Sequence, residues 1–169
     1  MDLKFKFTKT FRKLVRNTNI SEQTLLATDY LNHFNEVIMM LELVPDMPDM
    51  LDEAKSWQPK TYQEHFEGSA FSDKKLAVEA YNHAPDNYRQ PFDETVDEID
   101  KMVHQGMDEI TAVLESGNAE QVRLNVFQVT QGIQKNMDKL SAIVNGDLGE
   151  ESEEEPATLD QSEIDAMFD

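Results

Sequence analysis

The fold is decided by residues 90–146, which read QPFDETVDEIDKMVHQGMDEITAVLESGNAEQVRLNVFQVTQGIQKNMDKLSAIVNG. Apolar residues recur every three or four positions on both sides of Gly117-Asn118, which is the period of an amphipathic helix. Asn118 and Gln121 stand in the capping-box relation and restart the chain as a helix after the turn. Two helices of about 27 residues, each roughly 40 Å long, are joined by so short a turn that we expect antiparallel neighbours.

The residues before this hairpin predict further helices and no strands. Asn19 and Glu22 form a capping-box pair that predicts a helix running to about Val44, where Pro45 stops it. Proline, glycine and serine positions divide the next part into shorter helices, predicted at 48–57, 61–66 and 73–83. The predicted fold is therefore all-α. It is a helical bundle built on a long antiparallel helical hairpin, with residues 1–146 as one domain.

Residues 147–158, DLGEESEEEPAT, differ sharply from the bundle in composition. They carry too little apolar surface to offset the entropy of folding, so we predict a disordered acidic tail. Its charges repel one another, and chain statistics give this linker a reach of at least roughly 20 Å. It would tether the last residues, 159–169, near the bundle.

The net charge of −19 is unevenly distributed along the chain. Six of the fifteen basic residues lie within the first sixteen positions, and the rest of the chain is strongly acidic. An acidic body repels a phosphate backbone, so nucleic acid is not an expected ligand. The basic N-terminus is compatible with contact to an anionic membrane surface. Packing on the acidic body is favoured, however, because an apolar helical stripe accompanies the charges: Leu3, Phe7, Phe11, Leu14 and Val15.

The absence of cysteine excludes disulfides and thiolate metal sites. No apolar run approaches the roughly 20 residues that span a bilayer, and no signal peptide is visible. We therefore expect a soluble, cytoplasmic protein.

The last eleven residues, 159–169, carry the pattern of a short, self-capped amphipathic helix. Asp160 and Glu163 stand in the capping-box relation, so each side chain can satisfy a backbone donor at the helix start. A peptide this short is marginal alone because helix nucleation is costly, and we predict that it folds in a partner's groove. Its predicted apolar anchors are Leu159, Ile164, Met167 and Phe168.

Residues 160–167, DQSEIDAM, resemble two known peptides that dock on the response regulator CheY. One opens the flagellar motor switch protein FliM, and the other is the C-terminal peptide of the chemotaxis phosphatase CheZ. The resemblance implies a chemotaxis or motility protein whose partner is a CheY-type receiver domain. The receiver would carry its own Mg²⁺, so no cofactor is expected here. The family's Ser-Gln step is Asp160-Gln161, and its paired leucines are Met167 and Phe168. The residues assigned to partner binding are Leu159, Asp160, Gln161, Glu163, Ile164, Asp165, Met167 and Phe168.

The last long helix carries amides at every third position, namely Asn125, Gln128, Gln131 and Gln134. Residues 127–135, FQVTQGIQK, weakly resemble the active helix of CheZ, where an aspartate and a glutamine four residues later act on the phosphorylated receiver. With Thr130 aligned to the family threonine, Gln128 stands at the aspartate position and Gly132 at the glutamine position. The resemblance implies CheZ-like dephosphorylation, with Gln128, Gln131 and Gln134 as candidate catalytic residues. The alternative is a polar, solvated helix face.

Two other functions stay open. The chain could bind the receiver as an adaptor or sink without catalysis, and a homodimer is compatible with either role. It could instead be a helical bundle that holds a metal or a small ligand. The candidate ligands, His33 and Glu36 on one helix and Asp100, His104 and Asp108 on another, lack the repeated Glu-x-x-His pattern of di-metal bundles, so no metal site is predicted. Aromatic residues between 57 and 81 would either seal the short helices onto the hairpin or line a pocket.

Overall fold

The computed structural model describes the backbone of residues 3–148 and the side chains of residues 7–148. Over this range the chain is helical and contains no named strand, which confirms the predicted all-α class. Its seven α-helices are α1 (Leu3–Leu14), α2 (Asn32–Leu43), α3 (Met50–Ser56), α4 (Tyr62–Glu67), α5 (Lys74–Asn82), α6 (Asp86–Ser116) and α7 (Ala119–Val144).

The two longest helices, α6 and α7, meet at the predicted turn. The Asn118 side chain accepts a hydrogen bond from the Gln121 N–H at 2.9 Å, and the Gln121 side chain accepts one from the Asn118 N–H at 3.2 Å. This reciprocal pair confirms the capping box. Helix α6 starts at Asp86, earlier than the predicted Gln90, and continues through Pro91.

Contacts between α6 and α7 join residues that lie progressively farther from the turn. A Cβ on Gly106 would meet Val129 Cγ1 at 2.4 Å, and one on Gly132 would meet Met102 Cε at 3.0 Å. Farther along, the Asn136 side chain donates to Met102 Sδ at 2.8 Å. The apolar faces of both helices belong to one core, whose largest fully buried members here are Phe92, Ile99, Ile110, Ile133 and Leu140.

The helix predicted from Asn19 to Val44 is wrong in its first half. Residues 19–27 form a looped segment with an isolated antiparallel bridge between Ile20 and Ala27, and a short 3-10 turn over 28–31 precedes α2. Tertiary hydrogen bonds replace the expected helix, since the Thr24 hydroxyl donates to the Val144 carbonyl at 2.6 Å. Leu25, Leu26 and Ala27 are consecutive and fully buried, an arrangement that one face of a surface helix cannot provide.

Helix α1 packs by a narrower face than its sequence suggests. Phe11 and Val15 are buried, whereas Phe7 and Leu14 are 43% and 54% exposed. The Phe11 ring stacks on His83 with a centroid distance of 4.6 Å, and Arg12 donates to the Glu22 carbonyl at 3.1 Å. The predicted stripe therefore contributes two of its described members to the core, and the other two face solvent.

Candidate functional site

The amides proposed as catalytic lie on α7 next to a shallow groove between α6 and α7. We call this surface the amide groove; it encloses about 200 Å³ and is lined by Met102, Gln105, Gly106, Glu109, Gln128, Val129 and Gly132. At this groove Gly106 lies against the Val129 side chain, and Gly132 lies against the end of the Met102 side chain. Gln128 and Glu109 are both exposed to solvent at this position.

The structure separates the three candidate glutamines. Gln128 lines the amide groove, but Gln131 and Gln134 do not, although both are exposed. The separation follows from helix geometry, because a step of three residues turns about 300° and the series drifts by about 60° at each step. Gln134 lies farther around the helix, where its amide donates to Asp138 at 3.1 Å.

The same drift places Asn125 toward the buried side of α7. Asn125 is half-buried, and its side-chain oxygen is buried without a hydrogen-bond partner among the described residues. Along α7 the four amides therefore turn from the buried side of the helix at Asn125 to the solvent side at the three glutamines. Gln128 alone among them combines exposure with a place in the groove.

Glu109 is the residue that sequence reasoning missed. It supplies a carboxylate beside Gln128, although it comes from α6 and lies 19 positions earlier in the chain. The signal that could have found it is the turn at Gly117-Asn118. If the chain reverses direction at this turn, residues that lie about equally many positions before and after it come close together.

The predicted receiver-docking residues, 159–169, lie outside the described residues. Of the predicted acidic linker, only Asp147 and Leu148 are described. The Asp147 N–H donates to the Ala142 carbonyl at 2.8 Å, and Leu148 packs against the core. These two residues therefore belong to the bundle, and the described chain ends beside the C-terminal end of α7.

The histidines do not gather as metal ligands. His33 is buried, its Nε2 accepts from the Lys60 N–H at 3.1 Å, and its ring stacks on Trp57. Burial, together with Lys60 and His65, lowers the pKa of His33 to about 4, so the ring stays neutral. His104 Nδ1 instead bonds the Asp100 carbonyl on its own helix at 2.7 Å. Within residues 7–148 no group of three potential ligands is arranged to hold a metal ion.

The aromatic segment before α6 is packed around α2 and α6. Trp57, Tyr62 and Phe66 are buried, and the Trp57 indole donates to the His33 carbonyl at 2.9 Å. Helix α4 is fixed by a second capping box, in which Thr61 and Glu64 exchange hydrogen bonds of 2.9 and 3.1 Å. These rings pack the short helices onto the core, which was one of the two expectations. Tyr62 and Tyr81 also border a cavity of about 290 Å³ between α4, α5 and α6.

Comparisons with known proteins add no relative: no family model, no curated protein and no solved structure matches the chain. Among the described helices, none is long and apolar enough to span a membrane.

Proposed function

We propose that the chain binds a CheY-type receiver domain through residues 159–169 and promotes hydrolysis of its aspartyl phosphate at the amide groove. The observation that carries this proposal concerns Gln128 and Gly132, the positions aligned with the active residues of the CheZ helix. Both line one open groove together with the Glu109 carboxylate. A role in chemotaxis or motility and a cytoplasmic location belong to the same proposal.

The proposal includes a finer description of the fold. Helices α6 and α7 would form the antiparallel hairpin, which the contacts from Gly106 to Val129 and from Met102 to Asn136 support. Residues 147–158 would form the disordered acidic linker. A linker of this length spans about 20 Å, so it would hold the peptide close to the bundle and raise the local concentration of the bound receiver.

Docking would combine an apolar face with acidic flanks. Ile164, Met167 and Phe168 would enter an apolar groove of the receiver, with Leu159 at the start of the helix. Asp160, Glu163 and Asp165 would cap the peptide and meet basic groups of the receiver.

The hydrolysis needs positioning more than new covalent chemistry. The receiver supplies the aspartyl phosphate and its own Mg²⁺. The Gln128 amide would hold a water in line with the phosphorus, and Glu109 would accept a hydrogen bond from that water. The water oxygen bonds to phosphorus as the bond from phosphorus to the aspartate oxygen breaks. Free carboxylate and inorganic phosphate result, and the water's proton passes to the phosphate.

An exposed apolar surface beside the groove supports a protein substrate. Leu124 and Phe127 on α7 are 57% and 59% exposed. An ion pair of 2.7 Å between Arg123 and Asp46 brings the start of α7 next to the segment after α2, where Met47 is also exposed. Exposed apolar side chains of this kind are typical of a protein contact surface, and here the tethered receiver would cover them.

The first test measures binding. Phosphorylated and unphosphorylated CheY-type receivers are titrated against the full chain and against a chain that ends at residue 158. We expect the truncated chain to lose binding. In the full chain, Ile164→Asp should weaken affinity at least about a hundredfold, because it buries an unpaired charge. Unchanged affinity in either protein would contradict docking through this peptide.

The second test measures decay of the phosphorylated receiver with and without the full chain. We expect faster decay with the chain, and a loss of at least about tenfold of that acceleration in Gln128→Ala because the water is no longer positioned. The matched control is Gln134→Ala, an exposed amide of the same helix outside the groove. Equal rates for the two variants would exclude catalysis at the groove, and binding without acceleration would identify an adaptor.

A further inference from the structure

The outer side of α1 carries a row of exposed basic residues. Lys9 and Lys13 stand at i and i+4 on the helix, and Arg16 continues the row in the turn that follows it. We call this row the basic face of α1. Among the described residues, Lys13 has no ion pair, and Arg16 pairs with the exposed Glu22 carboxylate at 2.9 Å. The charge of Lys13 is therefore open to a further anionic group.

Two contacts place this face beside the end of the described chain. The Arg12 guanidinium donates to the carbonyls of Glu22 and Gln23 at 3.1 and 3.2 Å. The Gln23 side chain in turn packs so closely on Gly146 that it leaves no space for a Cβ there. Leu148, the last described residue, follows two positions later. The described chain therefore ends close to the basic face of α1.

The residues that come next form the most acidic stretch of the sequence. Residues 150–155 read EESEEE, with five glutamates at six positions, and we call them the acidic run. An extended chain from 149 to 155 spans up to roughly 23 Å. The row from Lys9 to Arg16 is only about 10 Å long. The acidic run is therefore long enough to reach the basic face and to follow it.

Other anionic partners fit this face less well. An anionic membrane surface would suit the exposed Phe7 and Leu14 of α1. However, the chain from residue 17 onward carries nine basic and thirty-three acidic residues, which such a surface repels. A separate acidic protein would have to be captured from solution. The acidic run is tethered beside the face, so its effective concentration there is far higher.

We propose that the basic face of α1 binds the chain's own acidic run, residues 150–155. Glutamate carboxylates would pair with the ammonium groups of Lys9 and Lys13 and with the guanidinium of Arg16. Each exposed pair contributes little, but several pairs on one short tether act together. The docking peptide at 159–169 would then project from the α1 side of the bundle, and only this consequence rests on the proposed function.

The test places a spin label in the full chain and needs no receiver. The sequence contains no cysteine, so Ser152→Cys gives a single labelling position within the acidic run. We expect the NMR amide signals of α1 to lose intensity, while those at the turn Gly117-Asn118 keep theirs. The α1 signals should recover in about 1 M salt, where the Debye length is about 3 Å. Equal intensities at α1 and at the turn would overturn the proposal, as would a loss at α1 that salt does not change.

Matched variants separate charge attraction from the effect of the tether alone. Replacing the five glutamates of the acidic run with glutamine keeps the length of the tether and should restore the α1 signals as salt does. Lys9→Glu combined with Lys13→Glu should restore them too. The control is Lys101→Glu combined with Lys135→Glu, the same charge change at exposed positions of α6 and α7, and it should leave the loss unchanged. Equal effects of the two lysine pairs would reject the basic face as the binding surface.

Two further measurements would reveal a different occupant of the face. A spin-labelled chain is mixed with an isotope-labelled chain without cysteine, and an undiminished loss at α1 in this mixture would assign the face to a second copy. Sedimentation with vesicles of phosphatidylserine and phosphatidylcholine tests a membrane. Vesicle binding that Lys9→Glu with Lys13→Glu abolishes would assign the face to anionic lipid. We expect neither result, and either one would overturn the proposal.

Discussion

Helix α6 meets its neighbours in two different ways along its length. Between Asp93 and Asp100 it faces Tyr30, Tyr62 and Tyr81, and a cavity of about 290 Å³ lies between these side chains and the helix. Between Met102 and Glu109 it approaches α7 through Gly106, and a shallower groove of about 200 Å³ remains. Planar rings held by hydrogen bonds cannot move to fill a gap beside them. A glycine has no side chain, so it allows two helices to approach closely and leaves a shallow surface. One helix thus packs against buried rings in its first half and against α7 through a glycine contact farther along.

The largest expected difference between the two regions is in stability. Phe92 is 1% exposed and lies 5.8 Å from the Tyr62 ring, so Phe92→Ala should lower the free energy of unfolding by about 3–5 kcal/mol. The matched change on the groove side, Phe127→Ala, removes an exposed ring and should cost less than about 0.5 kcal/mol. Urea unfolding of both variants measures the difference. Similar losses would mean that the two regions do not differ in packing as described.

The next effect is a pH dependence of stability that comes from His33, which lines neither the cavity nor the amide groove. The lowered pKa of His33, about 4, means that the unfolded chain takes up a proton near pH 6.5 while the folded chain does not. Stability from this group is therefore complete above pH 6.5 and is lost as the pH falls toward 4, by roughly 3 kcal/mol.

His33→Gln isolates this contribution. The free energy of unfolding is measured at pH 7.5 and pH 5 for both proteins, and the decrease on acidification should be smaller in the variant. The raised pKa values of Asp93 and Asp100 act in the opposite direction, but they are common to both proteins. An identical decrease would show that His33 takes up its proton in the folded state as well.

The smallest effect tests the close approach of α6 and α7. A methyl group on Gly106 would meet the stiff, branched Val129 at 2.4 Å, so Gly106→Ala should destabilise by about 1–2 kcal/mol. A methyl group on Gly132 would meet only the flexible end of Met102 at 3.0 Å. Gly132→Ala should therefore be neutral or stabilising by up to about 1 kcal/mol, because alanine favours the helix. Thermal unfolding compares the pair, and the reverse order would contradict the contact described for Gly106.

The helix from Asn19 shows why local patterns failed in one region. Asn19 and Glu22 have the right spacing for a capping box, but Glu22 instead pairs with Arg16 at 2.9 Å. Leu25 adopts a φ of 61°, which a helix does not allow. Burial of three consecutive apolar residues and the hydrogen bond from Thr24 to Val144 stabilise the loop, and neither contact can be read from neighbours in sequence.

The residues of the candidate site also differ in whether the sequence could predict them. The sequence pointed to Gln128, because an amide on a periodic helix is visible locally. It did not point to Glu109, because this residue comes from the other helix of the groove.

The sequence by itself determined the all-α class and the turn and cap at Gly117-Asn118. These features depend on contacts within a few residues, where spacing fixes geometry. Only the tertiary structure decided the loop at 19–27 and the meeting of Gln128 with Glu109 in one groove. Those features depend on which side chains from distant parts of the chain fill the same space, and packing rather than local preference selects them.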